Sequence, residues 1–256
     1  MAQFLILSAQ EIPTPIMISP QLTQLTENIG NSAPAALQVD VIADFVCPWS
    51  FLGKRRLDEA LAAVRGPSHV TWHPFQINPA MPEEGEPFDD YLRSKFGDPE
   101  NLRSGMEALI QSGVREGINF RFERIERIPS TFNAHLLMAL GQEQECNTGV
   151  LADLIFHAFF ERGQDISNVD VLVRLGETVG LHARHIREEL DGERLPLAVR
   201  ANEAQARQHG VNGVPDFLIN QRLFVIGAQS TSDLVRIFDR AMFGEDSDLT
   251  MSSTLH

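Results

Sequence analysis

Two segments of this sequence carry residue types suited to chemistry at sulfur. The first is Cys47-Pro48-Trp49-Ser50, which follows the β-branched apolar run Val39–Val46 and opens a helical pattern. A cysteine is a nucleophile only as its thiolate, and a free thiol of pKa ~8.5 is mostly protonated at neutral pH. A helix N-terminus presents unpaired backbone N–H groups and partial positive charge, which draw a cysteine there down to about 3.5–7.5. Pro48 suits the first helical position, where its missing N–H costs nothing. In this placement the amides of Trp49 and Ser50 point at the Cys47 sulfur, and the Ser50 hydroxyl adds a hydrogen bond to it. The alternative is that Cys47 is a small buried hydrophobe at a strand end, the commonest fate of a free cysteine. The second segment is Gly213-Val214-Pro215. Proline cannot donate to a sheet ladder, so at a strand's first residue it marks a special turn, a cis bond or an ordinary strand entry.

Positioning these residues takes a strand to deliver the cysteine and a helix to receive it. Val39–Val46 is nearly continuous in apolar residues, as in a buried parallel strand. The helix after it keeps a 3/4 spacing through Leu57, Ala60, Leu61 and Val64, and stops at Gly66-Pro67. A second strand follows at His69–Phe75, completing a βαβ unit. From about Asp89 to Gly192 the pattern is helical, with apolar stripes at Phe132/His135/Leu136/Ala139/Leu140, at Leu151/Leu154/Ile155/Ala158/Phe159 and at Leu172/Leu175/Val179. A helix over Pro196–His209 leads to strands Asp216–Asn220 and Leu223–Ile226, with Asn220-Gln221 as a tight hairpin turn. A last amphipathic helix buries Leu234, Ile237, Phe238 and Ala241, with Ser230 as its N-cap. The order is βαβ, a helical insertion, then αββα.

Composition narrows the function classes. The 256 residues carry 35 Asp and Glu against 21 Lys and Arg, a formal net charge of −14. Phosphate binding is driven by Lys and Arg, so nucleic acid and anionic membrane are poor partners for such a chain. Two cysteines cannot make a disulfide framework. No run of 18 apolar residues exists to span a membrane. Met1–Ala9 holds a short apolar stretch with no basic residue before it, unlike a secretory signal, and the expectation is a cytoplasmic protein. Residues 1–37 read as a flexible leader rich in Pro, Ser, Thr, Gln and Asn, and 244–256 as a polar tail.

Several motifs in order resemble a known family. Asp44-Phe45-Val46-Cys47-Pro48-Trp49, Trp72-His73-Pro74-Phe75-Gln76-Ile77-Asn78-Pro79, Thr131-Phe132-Asn133-Ala134-His135-Leu136-Leu137 and Gly210-Val211-Asn212-Gly213-Val214-Pro215 are similar to the FrnE-type branch of DsbA-like proteins. Phe156-His157-Ala158-Phe159-Phe160 and Ile226-Gly227-Ala228-Gln229 fit the same pattern, and the resemblance covers about residues 38–243. It implies an α/β thioredoxin fold, formed by 38–82 and 194–243, with an inserted all-helical domain over 83–193. In such folds the Cys-X-X helix start faces a cis-proline loop, and the residue before that proline offers its backbone to an extended peptide or glutathione. The resemblance further implies thiol–disulfide oxidoreductase activity, with Cys47 as nucleophile, Ser50 beside it, and Pro48, Trp49, Asn78, Val214 and Pro215 binding substrate or glutathione. No bound cofactor or metal is implied; glutathione is the expected co-substrate, and the partner a thiol or disulfide on a protein or small molecule.

One departure changes the expected mechanism. Redox-active members of the branch carry Cys-Pro-Trp-Cys, whereas here the fourth position is Ser50. The glutathione-using sister branches, kappa-class glutathione transferases and 2-hydroxychromene-2-carboxylate isomerases, typically carry Ser where this chain has Cys47. Without a neighbouring thiol a mixed disulfide on Cys47 cannot resolve intramolecularly, so a second thiol must attack it. Cys146 could serve only if its Cα came within about 7 Å of that of Cys47. Two rivals stand beside a monothiol oxidoreductase: a glutathione-dependent isomerase or transferase acting on a small aromatic or polyketide-like substrate, and a redox-inactive peptide-binding protein without turnover. His73 and His135 lie within family-like motifs, where cleft lining and packing both account for them. His182 and His185 have i,i+3 spacing, and His69 shares a strand face with His73, but neither pair has the companions a metal site requires.

Overall fold

The apolar run before Cys47 is strand β1 (Leu37–Ala43) in the computed structural model, which describes residues 36–244 apart from Asp98. The expected polar tail and nearly all of the expected leader lie outside the described residues. β1 ends before Asp44, earlier than its apolar pattern, because the Cys47 N–H turns back to donate to the Asp44 carbonyl at 3.1 Å. Helix α1 (Pro48–Ala63) follows with Cys47 as its N-cap and Pro48 in its first turn. Next comes β2 (Ser68–Pro74), parallel to β1 with Val39 opposite Val70 and Val41 opposite Trp72.

The insertion begins with a short β3 (Glu86–Pro87), then α2 (Phe88–Phe96), α3 (Pro99–Arg115), a 3-10 turn at Phe122–Arg124 and β4 (Arg127–Ile128). It continues with α4 (Phe132–Glu143), α5 (Thr148–Phe160), α6 (Val169–Thr178) and α7 (Ala183–Asp191). α4, α5 and α6 are the three expected apolar stripes. The β3–β4 ribbon is an addition to the helical pattern; strands of two residues leave no periodicity to read. The chain closes with α8 (Arg194–Gln208), β5 (Asp216–Ile219), β6 (Leu223–Ile226) and α9 (Thr231–Phe243). α8 starts two residues before Pro196, which its first turn tolerates because N–H groups there have no intrahelical acceptor.

The main sheet has the order β2-β1-β5-β6, with β5 antiparallel to both β1 and β6. Asn220 and Gln221 both adopt positive φ, 49° and 54°, and the Arg222 N–H donates to the Ile219 carbonyl at 3.0 Å, making the expected tight turn. Ser230 caps α9 by accepting from the Asp233 N–H. α1 and α9 pack together against the sheet.

Aromatic packing joins the insertion to the sheet unit. Phe51 on α1 stacks on Phe156 of α5 at 5.0 Å, Phe45 meets Phe156 at 5.1 Å, and Phe120 and Phe160 extend the cluster. Beside it Lys54, almost fully buried, pairs with Asp58 at 2.7 Å and with Asp153 of α5. Along the free edge of β2, the Gln142 side chain takes a strand's place: its Oε1 accepts from the Trp72 N–H at 2.6 Å and its Nε2 donates to the Trp72 carbonyl at 3.1 Å.

Candidate active site

Cys47 sits where β1 hands the chain to α1, packed among Ile42, Phe75, Val211 and Val214. The Val214–Pro215 peptide is cis, and the Cys47 thiol donates to the Val214 carbonyl at 3.4 Å. Residues far apart in sequence are thus brought face to face. Ser50 is buried in the first turn, where its N–H bonds to the Cys47 carbonyl at 3.0 Å and its hydroxyl reaches the sulfur. The Ser50 Oγ in turn accepts from the Asp44 N–H at 3.4 Å. Trp49 projects outward, 47% exposed, on the rim of the site.

The electrostatics run opposite to the sequence expectation of a lowered thiol pKa. Burial pushes the Cys47 thiol up to about 11, and the carboxylate of Asp44 adds to the rise. The Ser50 hydroxyl and the amides of Ser50 and Trp49 do act downward, as expected, but the loss of hydration outweighs them. The hydrogen bond to Val214 agrees with this, because only the protonated sulfur can donate it. At rest the site holds a thiol. Site-resolved alkylation by iodoacetamide should therefore be roughly 100-fold slower at Cys47 than at an unhindered free cysteine at pH 7. The rate should still climb about tenfold per pH unit beyond pH 9. A plateau below pH 8 in the rate profile, read by mass spectrometry, would contradict the buried-thiol state.

Asn78 follows the loop out of β2, but both ends of its amide are engaged: Nδ2 donates to the Tyr91 hydroxyl at 3.2 Å and Oδ1 accepts from Lys95 at 3.0 Å. It ties that loop to α2. The same loop is held by two residues that single-sequence reading passed over. Asp44 Oδ2 accepts from the Ile77 N–H at 2.7 Å, and Glu203 Oε1 accepts from the Gln76 N–H at 3.0 Å. Arg207 completes this support, lying over the Phe75 ring at 4.1 Å and donating to both Glu203 and the Gln76 carbonyl. His135, buried on α4, faces Asp44. His73 lies on the partly exposed sheet face, paired with Asp40 at 2.8 Å. Cys146 stands at the far end of α4 from His135, lining an open groove of about 610 Å³ along β2. Both cysteines are free, and none of the residues packed around Cys47 lines that groove. Among the described residues no three His, Cys, Asp or Glu side chains are placed to hold a metal ion.

Gly53 lets α1 approach the cis-proline loop. A Cβ there would lie 2.8 Å from the Pro215 ring and 3.2 Å from the Phe217 ring, both rigid groups. Gly53→Ala should therefore lower stability by about 1–3 kcal/mol and move the Val214 carbonyl away from the sulfur. Thermal unfolding together with Cys47 alkylation checks this; an unchanged melting temperature would show that the contact relaxes freely.

A strand delivering a cysteine to a helix start, opposite a proline loop on the antiparallel side of one mixed sheet, defines a thioredoxin-fold site. The chain belongs to the DSBA-like thioredoxin domain family, whose model matches residues 38–239. A curated relative, the uncharacterized protein YwbO of Bacillus subtilis, is 26% identical over 215 residues, covering 82% of this chain and 97% of its own. Among solved structures, a probable DsbA oxidoreductase of Streptomyces coelicolor is 29% identical with a TM-score of 0.74, covering 84% of this chain and 93% of that one. The cytosolic disulfide reductase DsbM of Pseudomonas aeruginosa, solved with GSH, is 20% identical with a TM-score of 0.57, over 79% of this chain and 97% of that one. That last likeness is one of fold. In the described residues no helix is long and apolar enough to cross a membrane.

Proposed function

We propose that this protein is a cytoplasmic monothiol thiol–disulfide oxidoreductase that works with glutathione. The observation that carries this is the pairing of one sulfur, Cys47, with a hydroxyl, Ser50, against the Val214 carbonyl. An extended partner that pairs with the backbone of Val214 competes for the acceptor that favours the protonated sulfur, while the Ser50 and Trp49 donors stay in place. Docking thereby shifts Cys47 toward thiolate. The thiolate attacks the glutathione sulfur of a mixed disulfide R–S–S–G; the Cys47–glutathione bond forms, R–S breaks away and takes up the proton. Reduced glutathione then attacks the adduct, releasing oxidised glutathione and restoring Cys47. The buried thiol of the resting state favours one other reading, a groove that binds peptides without turnover.

Incubation with oxidised glutathione followed by mass spectrometry separates the two. The expected result is one glutathione on Cys47, removed within minutes by reduced glutathione. Exclusive labelling of Cys146, or a Cys47 adduct that reduced glutathione leaves in place, would overturn the catalytic reading.

A further inference from the structure

Behind the sulfur lie two polar atoms with no hydrogen-bond partner. Asp44 Oδ1 and His135 Nε2 are both buried and face each other at 3.3 Å, but not in hydrogen-bond geometry, and neither is satisfied elsewhere among the described residues. Leaving such a pair buried is costly, so its persistence calls for a physical account. Asp44 is also the residue on which the start of α1 is built. Its carbonyl accepts from the Cys47 N–H, its N–H donates to Ser50 Oγ, and its negative charge acts on the Cys47 sulfur. His135 is held by the Phe45 ring, 5.1 Å away between centroids, and lines a cavity of about 30 Å³ with Trp72, His73, Gln142 and Asn202. A space of that size admits a water molecule.

From this geometry we infer that Asp44 and His135 form a positioning pair whose imidazole takes up a proton as Cys47 gives up its own, so that the sulfur ionises without adding net negative charge to the buried site. It rests on Cys47 as the nucleophile of the proposed function. As Cys47 ionises before attack its proton passes to solvent while the imidazole takes one up from solvent by way of the cavity, and the thiolate expelled from the disulfide afterwards takes up a proton from solvent. When Cys47 becomes a neutral mixed disulfide, the pair returns its proton, and the cycle closes with no net uptake. Two carboxylate-sized charges in one dry site repel strongly, and an imidazolium set against Asp44 relieves that repulsion. The other ionisable groups around the pair already have partners. His73 of β2 is matched with Asp40 of β1, and Glu203 of α8 with Arg207. From α5 the neighbour is the uncharged Phe156, packed on Phe45.

Site-resolved alkylation of Cys47 by iodoacetamide, from pH 6 to 10, tests the coupling without glutathione. It therefore fails independently of the turnover reading. Asp44→Asn keeps an oxygen for the Ile77 N–H but removes the charge, and should raise the rate at pH 8 about fivefold or more. His135→Gln should lower the rate by a similar factor, whereas the double variant should match Asp44→Asn, since the imidazole acts only through the carboxylate. A merely structural role would predict a common loss of folding and no opposed shifts. A slow double variant, or equal rates throughout, overturns the inference. A second measurement needs no substitution. Iodoacetate and iodoacetamide leave adducts of similar size on Cys47, one charged and one neutral. The ring resonances of His135, identified by its contact with Phe45, should differ between the two adducts at pH 7, displaced toward the imidazolium position in the charged one. Identical ring resonances in the two adducts also overturn the coupling.

Discussion

Ser50→Cys is expected to convert the protein into a dithiol oxidoreductase. Cys47 is the N-cap of α1 and Ser50 lies three residues on, in its first turn. The Ser50 hydroxyl already hydrogen-bonds the Cys47 sulfur, so a sulfur placed there lies close to it, and serine and cysteine differ little in shape. Wild type should show little reduction of insulin disulfides with a dithiol electron donor, yet measurable glutathione-dependent deglutathionylation. The variant should gain insulin reduction at least about tenfold above wild type, and should form an internal disulfide with Cys47. Cys47→Ser should lose the deglutathionylation by about a thousandfold or more, because among the described residues no other thiol lines the site. Cys146→Ser should change neither activity. If wild type already reduces insulin as well as the Ser50→Cys variant, or if Cys146→Ser abolishes turnover, a distant resolving thiol must be at work and the monothiol mechanism fails.

Asp216→Asn should stabilise the fold at pH 8 by about 2–4 kcal/mol and leave it nearly unchanged at pH 4. Asp216 follows Pro215 on β5 and is buried; desolvation pushes its carboxyl up to about 7, opposed only by the Gly227 N–H at 3.2 Å. The sign follows from comparing the two states. Below about 3.8, the ordinary carboxyl value, folded and unfolded chains both hold the proton, and the residue is neutral in each. As the pH rises from there through 7, the unfolded chain releases its proton while the fold must keep it. Stability falls across that window and levels off above it. Asparagine stays uncharged throughout and retains an oxygen for Gly227. Urea unfolding at the two pH values reads the difference directly. A gain of equal size at both, or no gain at pH 8, would mean that the buried carboxyl is not the source of the penalty.

Much of the scaffold was readable because its signals are local. Cys47-Pro48 marks a helix start by N-cap position and proline preference, Ser230 caps α9, and Asn220-Gln221 turns the last hairpin. The facing of Cys47 and Pro215 was reachable only through the order of motifs, since no local rule joins positions so far apart. Burial was not readable at all. The environment that raises the Cys47 thiol comes from Ile42, Phe75, Val211 and Val214, four side chains on three segments of the chain. A helix N-terminus alone predicts the opposite sign, because its amides are local while desolvation is a tertiary effect. Asp44 escaped for the same reason, since its apolar neighbours read as packing, and for His135 the sequence alone supports cleft lining and packing equally. Asn78 is a polar residue in a family-like motif whose amide also ties its loop to α2, through Tyr91 and Lys95, a link that sequence spacing does not reveal.

The amide of Gln142 that pairs with Trp72 also bears on how copies of this chain could associate. A sheet with two open edges can add strands without limit, which is the geometry of fibres. Here an added strand on the β2 side would have to evict a side chain that already supplies both a donor and an acceptor at the middle of that edge. β6, at the opposite edge, is four residues long and has no such side-chain plug at its centre among the hydrogen bonds of the described residues. Extension from one edge alone ends when two copies meet, since each contributes a single valence. For pairing through sheet edges, one glutamine thus leaves β6 as the edge open to a second copy, and such pairing stops at two.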